Sequence, residues 1–492
     1  MFESAELGHK IAKDVYEKEV PALREKLLDV QYELLEKQTC AVAMIVGGVD
    51  GGGRGAMVNL LYEWLDPRHL ETHATEPASG EECERPRMYR FWQRLPRRGK
   101  IGIFLGSWYT DPIINRSYRK SKPAELDSAL DEIVRFERML SNERVLVLKF
   151  WLHLSRKAQK RRLKALEDDP KTAWRVSPLD WERFEMYDRF RKISERSLRV
   201  TSTAVAPWYV VESNDDEYRS LTVGTILHDA IKRRLDDPVL NAAVHTPPII
   251  KPIDQRDLLG SFDPTPTIEK EKYNEQLASL QGKLNSLFRD PDFAHRNVVA
   301  VFEGVDAAGK GGAIRRITGA LDARQYRVIP VAAPTDEEKA RPYLWRFWRN
   351  LPRAGKLAIF DRSWYGRVLV ERIEKFCDED DWARAYSEIN DFEEALTKSG
   401  TIIVKFWLQI SNEEQLRRFK EREQTSFKRF KITAEDWRNR EKWDAYQNAA
   451  SEMIDRTSTD FAPWTLVAAN DKRNARIHVL ETLTSQIQRR LG

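Results

Sequence analysis

Cysteine is scarce in this chain. The 492 residues hold three, Cys40, Cys83 and Cys377, set far apart. They offer no disulfide framework and no C-x-x-C metal pair, so a reducing cytoplasm is the expected compartment. The eight histidines form no metal-ligand cluster. No apolar run approaches the ~20 residues of a membrane span, and the polar opening MFESAELGHKIAKDVYEKEV does not read as a signal peptide. Charge of one sign is also missing. Basic and acidic side chains number 82 and 77, a formal net charge of +5, too mild to imply a nucleic-acid or membrane partner. With 32% charged and 41% hydrophobic residues the composition is that of a globular protein, and the length calls for at least two domains.

What is present, twice, is one pattern. PRMYRFWQRLPRRGKIGIF (Pro86–Phe104) and PYLWRFWRNLPRAGKLAIF (Pro342–Phe360) agree at eleven of nineteen positions, 256 residues apart. The same offset aligns GGVDGGGRG with EGVDAAGKG, LKFWLHLS with VKFWLQIS, and TSTAVAPW with TSTDFAPW. The chain reads as a tandem duplication: a first domain over 1–236, an extended proline-bearing linker over 237–264, and a second domain over 265–492.

In the second copy, short apolar runs alternate with helical patterns. The expected strands are NVVAVFEG, YRVIPVAA, KLAIFD, TIIVKFWL and WTLVAAN; EEKARPYLWRFWRNL and ARAYSEINDFEEAL have helical periodicity. The fold class this implies is α/β, a parallel sheet covered by helices on both faces, with ligands at the carboxyl ends of the strands. Trp345 and Trp348 read as core residues rather than base-stacking ones.

The stretch EGVDAAGKGG fits the G-x-x-x-x-G-K phosphate loop through Gly304, Gly309 and Lys310, with Ala307, Ala308, Gly311 and Gly312 completing the cradle. The Ser or Thr that usually follows the lysine, and whose hydroxyl holds magnesium, is absent. Two acids can replace it: Asp306 inside the loop, and Asp361 at the end of a buried strand, where a carboxylate is costly unless paired or on a metal. Asp306 and Asp361 are therefore the expected ligands of Mg²⁺, with Mn²⁺ as a substitute, and Asp306 is also placed to orient an acceptor phosphate. Arg362 and Arg367 are the expected guanidiniums at the transferring phosphoryl group.

Arg417–Lys442 is a basic run with ten cations against five acids. Lys420, Arg422, Lys428, Arg429, Lys431 and Arg440 read as a cationic lid for a polyanion. The duplicate is an internal control. Arg422, Lys428, Arg429 and Arg440 become Leu166, Thr172, Ala173 and Phe184, while Lys310, Asp361, Arg362 and Arg367 become Arg54, Leu105, Gly106 and Asp111. Catalytic charge and lid charge disappear together, so the second copy is expected to be catalytic and the first a scaffold or regulatory copy.

GVDAAGKGG, APTDEEKARPYLWRFW, FDRSWYGRVLVER and REKWDAY with TSTDFAPW resemble the polyphosphate kinase 2 family across essentially the whole chain. The resemblance implies two tandem P-loop kinase-like (thymidylate-kinase-like) domains, each with a helical lid. In the fused form it implies transfer of the terminal phosphoryl group of polyphosphate to AMP, giving ADP. It carries over to Gly304, Asp306, Gly309, Lys310 and Gly311, to Asp361 and Arg362, and to the basic lid; Gly311 is usual for the family. A fused pair could mimic a dimer of single-copy relatives and pair again as a homodimer. The alternative readings are an ATP-dependent nucleoside monophosphate kinase and a non-catalytic polyanion- or nucleotide-binding protein.

Overall fold

The computed structural model describes residues 1–78, 80–237, 258–426 and 432–491. Residues 238–257 of the expected linker lie outside these. The chain divides into two compact units. The first comprises Met1–Ala78, Arg90–Val244 and Pro334–Trp345; the second comprises Ser79–Tyr89, His245–Ala333 and Arg346–Gly492.

Each unit is built on a five-stranded, all-parallel sheet. In the first, β1 (Ala41–Gly48), β2 (Leu70–Ala74), β3 (Ile101–Leu105), β4 (Val145–His153) and β5 (Trp208–Glu212) lie in the order β2-β3-β1-β4-β5. In the second, β6 (Asn297–Gly304), β7 (Tyr326–Pro330), β8 (Leu357–Asp361), β9 (Thr401–Gln409) and β10 (Trp464–Ala468) take the same order, β7-β8-β6-β9-β10. Every strand begins and ends 256 residues after its counterpart. The central strands are continuous apolar runs because helices cover both faces of the sheet; Val298, Val299, Ala300, Val301 and Phe302 are all fully buried, whereas the edge strands β2 and β7 carry polar residues.

The expected helix through EEKARPYLWRFWRNL is not continuous. It forms two single turns, Asp336–Lys339 and Trp345–Trp348. Pro342 between them has no N–H to donate and turns its predecessor away from helical geometry. Trp345 and Trp348 are buried, as their core reading requires.

Both sheets are crossed by the same buried ion pair. Lys405, in the middle of β9, donates to Glu393 Oε2 at 2.7 Å, to the Tyr365 hydroxyl at 2.8 Å and to the Thr457 carbonyl at 2.7 Å. The other oxygen of Glu393 accepts from Trp364 Nε1 at 3.0 Å and from Tyr365 Oη at 2.6 Å. Lys149 and Glu137 repeat the arrangement with Tyr109, Trp108 and Thr201. Burial pulls the Lys405 ammonium below its ordinary value, and Glu393 opposes that pull. The satisfied cage ties the turn just after β8 to β9 and to the helix Glu379–Lys398. Removing one partner strands the other charge. Lys405→Met is therefore expected to lower stability by about 3–5 kcal/mol in urea unfolding followed by tryptophan fluorescence; a loss below about 1 kcal/mol would contradict a structural role for the pair.

Candidate active site

The site grows from the carboxyl ends of β6 and β8. Sheet register sets Asp361 beside Phe302, two residues before Gly304. Gly304 has φ +139°, and a Cβ there would stand 2.5 Å from the Leu408 carbonyl oxygen, so only glycine lets the chain leave the strand this way. The loop then turns into the helix Lys310–Thr318. The N–H groups of its first turn and its dipole face the loop, an arrangement suited to an anion. Lys310 folds back across the loop and donates to the Gly304 carbonyl at 2.7 Å.

The carbonyl side of the loop is held by Arg418, which is 1% exposed. Its guanidinium donates to Ala307 and Ala308 at 2.8 and 2.9 Å, and to Ala469 and Asn470 at 2.7 and 2.9 Å. Glu414 neutralises it at 2.6 Å. Gln415 adds a bond to the Asp306 carbonyl at 3.1 Å. The carbonyls of Asp306, Ala307 and Ala308 are thus turned to Gln415 and Arg418, and within the loop the Ala308 N–H donates to the Val305 carbonyl at 3.1 Å. The first unit preserves part of this clamp: Arg162 reaches Gly51 O at 3.1 Å and Gln159 reaches Asp50 O at 2.9 Å.

Two residues of the site occupy backbone conformations that favour glycine, Ala307 at φ +64° and Arg362 at φ +65°. Their first-unit counterparts are Gly51 and Gly106, at φ +76° and +83°. The strain is kept in one copy and relieved in the other. Arg362 donates to Asp306 Oδ1 at 3.1 Å, and Asn439 donates to Oδ2 at 2.8 Å.

A cavity of about 470 Å³ opens over the loop. Its lining unites Asp306, Ala307, Ala308, Gly309, Lys310, Gly311, Gly312, Asp361, Arg362 and Arg422, all expected from sequence. A smaller cavity adjoins it, with Gly304, Glu303, Trp407, Trp443 and Tyr446 in its walls. Asp306 and Arg362 line both cavities. Other candidates lie elsewhere. Arg367 pairs with Glu371 at 2.9 Å and Asp381 at 3.6 Å and lines neither cavity. Arg440 joins the two lid helices through the Asn412 carbonyl, the Asn412 side chain and Gln415. Lys420 is exposed and outside both linings. Lys428, Arg429 and Lys431 lie outside the described residues.

Besides the loop clamp Arg418, sequence reading missed three cations of the larger cavity: Arg315, Lys472 and Arg476. In all, seven cationic side chains line it against four carboxylates. The 256-residue offset carried the signal, because the counterparts of these three are Asn59, Asp216 and Ser220. It also missed Glu303, buried at the end of β6 with Ser363 donating to it at 2.8 Å, where the first copy has Gly47.

For a metal, Asp306 and Asp361 both line the larger cavity, whose other carboxylates are Glu421 and Asp436, with no thiol or imidazole in the lining. Among the described residues no group of three or more His, Cys, Asp or Glu could hold an ion. Such a pair fits a small hard cation that keeps most of its water or takes phosphate oxygens.

In the first unit the corresponding charges cancel one another. Arg54 pairs with Asp50 at 2.8 Å and Arg183 stands 3.7 Å from it. Leu105 replaces Asp361 and cannot ligate a cation.

Burial pushes the Glu303 carboxyl above its ordinary 4.5, against the pull of Lys310. A raised folded value gives stability that is complete below the unfolded pKa and is lost as pH rises through the folded one. Glu303→Gln is therefore expected to be more stable than the parent at neutral pH, with the advantage vanishing toward pH ~4. Thermal unfolding midpoints across that range check this, and an advantage that grows on acidification would contradict it.

The comparisons agree with this geometry. The family model described as Polyphosphate kinase 2 (PPK2) matches residues 10–237 and again 267–491. A polyphosphate:AMP phosphotransferase of Pseudomonas aeruginosa is 55% identical over 489 residues, 99% of each chain. One of Pseudomonas syringae pv. tomato is 50% identical, over 99% of this chain and 98% of its own. A crystal structure of a polyphosphate kinase 2 from Pseudomonas aeruginosa PA01 superposes with a TM-score of 0.90 at 52% identity, over 100% of this chain and 99% of that one. A duplicated parallel sheet, a phosphate loop at the end of its central strand and matches of this extent have one reading: the chain belongs to the polyphosphate kinase 2 family.

Proposed function

We propose that the second unit transfers the terminal phosphoryl group of polyphosphate to AMP. The observation that carries this is the charge of the larger cavity. Besides the buried clamp Arg418, six cations from the helix Lys310–Thr318, the position just past β8, the lid helix and the start of the helix Lys472–Leu491 make a track suited to a linear polyanion with about one charge per phosphate. The relatives' names supply AMP as the acceptor. The adjoining cavity, with Trp443 and Tyr446 in its walls, offers aromatic faces for a base.

The donor chain lies along the cations with its last phosphates on the loop N–H groups and Lys310. An oxygen of the AMP phosphate forms a bond to the terminal phosphorus, and the bridging P–O bond to the next phosphate breaks. The products are ADP and a polyphosphate one unit shorter. Arg362 and Asp306, shared by both cavities, stand where the two substrates meet. Arg362 offsets the charge on the transferring group, and the loop and lid align it, which is most of what this chemistry requires. Asp306 and Asp361 would hold Mg²⁺, or Mn²⁺ in its place, and the ion would offset phosphate charge. We read 1–236 as the degenerate copy, 237–264 as the linker and 265–492 as the catalytic copy. Among the described residues no helix is long and apolar enough to cross a membrane. Among the described residues Cys40, Cys83 and Cys377 form no disulfide, and the cytoplasm suits both features.

The test is ADP formation from AMP and Mg²⁺ with polyphosphate or ATP as the only donor, in the parent and in Arg476→Ala. Transfer from polyphosphate is expected. The variant is expected to raise the KM for polyphosphate about tenfold, or about 1.4 kcal/mol, and to leave the KM for AMP unchanged. Transfer from ATP alone would favour a nucleoside monophosphate kinase, no transfer from either donor would favour a non-catalytic binder, and equal losses for both substrates would contradict the polyanion track.

A further inference from the structure

In the first unit a buried arginine lies against the loop, and a cavity opens beside Asp50. Arg219, 3% exposed, stands where the second unit has Ala475. Its guanidinium lies so close to the loop that a Cβ on Gly53 would stand 2.3 Å from Nη1, and Asp216 holds it there at 2.7 Å. A cation of the protein itself therefore rests against the loop that, in the second unit, faces the phosphate cavity.

The neighbouring space is open. A cavity of about 260 Å³ is walled by Tyr118, Tyr187 and Phe190 on its aromatic side and by Asp50, Gln159 and Arg183 on its polar side. It matches the cavity beside Asp306 position by position: Asp50 for Asp306, Gln159 for Gln415, Tyr187 for Trp443 and Phe190 for Tyr446. Three buried polar atoms in its wall have no hydrogen-bond partner, namely Gln159 Oε1, Arg183 Nε and Thr75 Oγ1. The Gln159 residue itself is 3% exposed. In the second unit the equivalent Gln415 oxygen accepts from Arg440 at 3.0 Å. Phe184 replaces that arginine in the first unit, which leaves the buried amide oxygen without that donor. Buried polar groups without partners are destabilising, and their convergence on one cavity points to a ligand that completes them.

We propose that this cavity is a second, non-catalytic site for a purine nucleoside monophosphate. The aromatic walls receive the base, the Gln159 oxygen accepts from an exocyclic amine, and Arg183 exchanges its long contact with Asp50 for the phosphate. The assignment of AMP rests on the reading that the corresponding cavity of the second unit takes the acceptor. A nucleotide bound here meets no donor, because Arg219 lies on the loop and Leu105 stands in place of Asp361. It is held without being phosphorylated.

The test is photolabelling of the full chain with 8-azido-AMP in the absence of polyphosphate, followed by peptide mapping. Label is expected both in first-unit peptides that carry Tyr118 or Tyr187–Phe190 and in second-unit peptides. Filling the cavity with Ile114→Trp is expected to abolish the first-unit label alone, and Arg183→Leu to weaken it about tenfold. The parent map stands on its own should either variant fail to fold. Label confined to the second unit would overturn this inference and leave AMP as the acceptor. Label in neither unit would overturn both readings. First-unit label displaced by inorganic polyphosphate but not by AMP would make the cavity a polyanion site and overturn the proposal.

Discussion

The candidate active site depends on a pair of charges that line neither of its cavities. Lys405 and Glu393 are buried in the sheet and its covering helix, and they are stable there only because each finds further hydrogen bonds. Those bonds reach Trp364 and Tyr365, three and four residues after Asp361. The cage thus fixes where the strand end stops and where Asp361 and Arg362 leave it. The first unit retains the cage through Lys149 and Glu137, although it has Leu105 and Gly106 at those two positions. Scaffold and chemistry have separated: the interaction that shapes the site survives in a copy that no longer carries the site's charges.

The backbone shows the same separation. A non-glycine residue with positive φ is costly and persists where the surroundings impose it. Ala307 and Arg362 bear that cost in the unit with the phosphate cavity, and glycine removes it in the other. The electrostatics follow suit. In the second unit Asp306 meets Arg362 and Asn439 at the border of two cavities, whereas in the first Asp50 is neutralised by Arg54 and approached by Arg183. One unit presents unbalanced positive charge to a ligand, and the other pairs its charges internally.

Much of this was legible in the linear chain. Apolar runs marked each strand of the second sheet to within a few residues, most plainly in the central strands, because a strand buried on both faces leaves a continuous signature. The phosphate loop and Asp361 followed from local spacing. Side-chain direction did not. Arg418, Arg422 and Arg440 are three cations of one basic run, yet the first clamps loop carbonyls, the second lines the cavity and the third ties two helices. Arg315, Lys472 and Arg476 come to the same cavity from helices distant in sequence, and charge runs cannot reveal a patch assembled that way. Arg367, expected at the transferring group, is held by Glu371 and Asp381 because its short turn points it toward those acids. Comparison of the two copies was the stronger guide, since it showed which charges are dispensable to the fold.

The most direct measurement is a crystal structure of the full chain with Mg²⁺, AMP and a non-hydrolysable polyphosphate analogue. The account predicts one ion shared by Asp306 and Asp361, directly at about 2.1 Å or through its waters, with the analogue running from the loop past Arg422 toward Arg476, and no ion at Asp50. An ion that touches neither acid, or an analogue seated on the loop of the first unit, would contradict it.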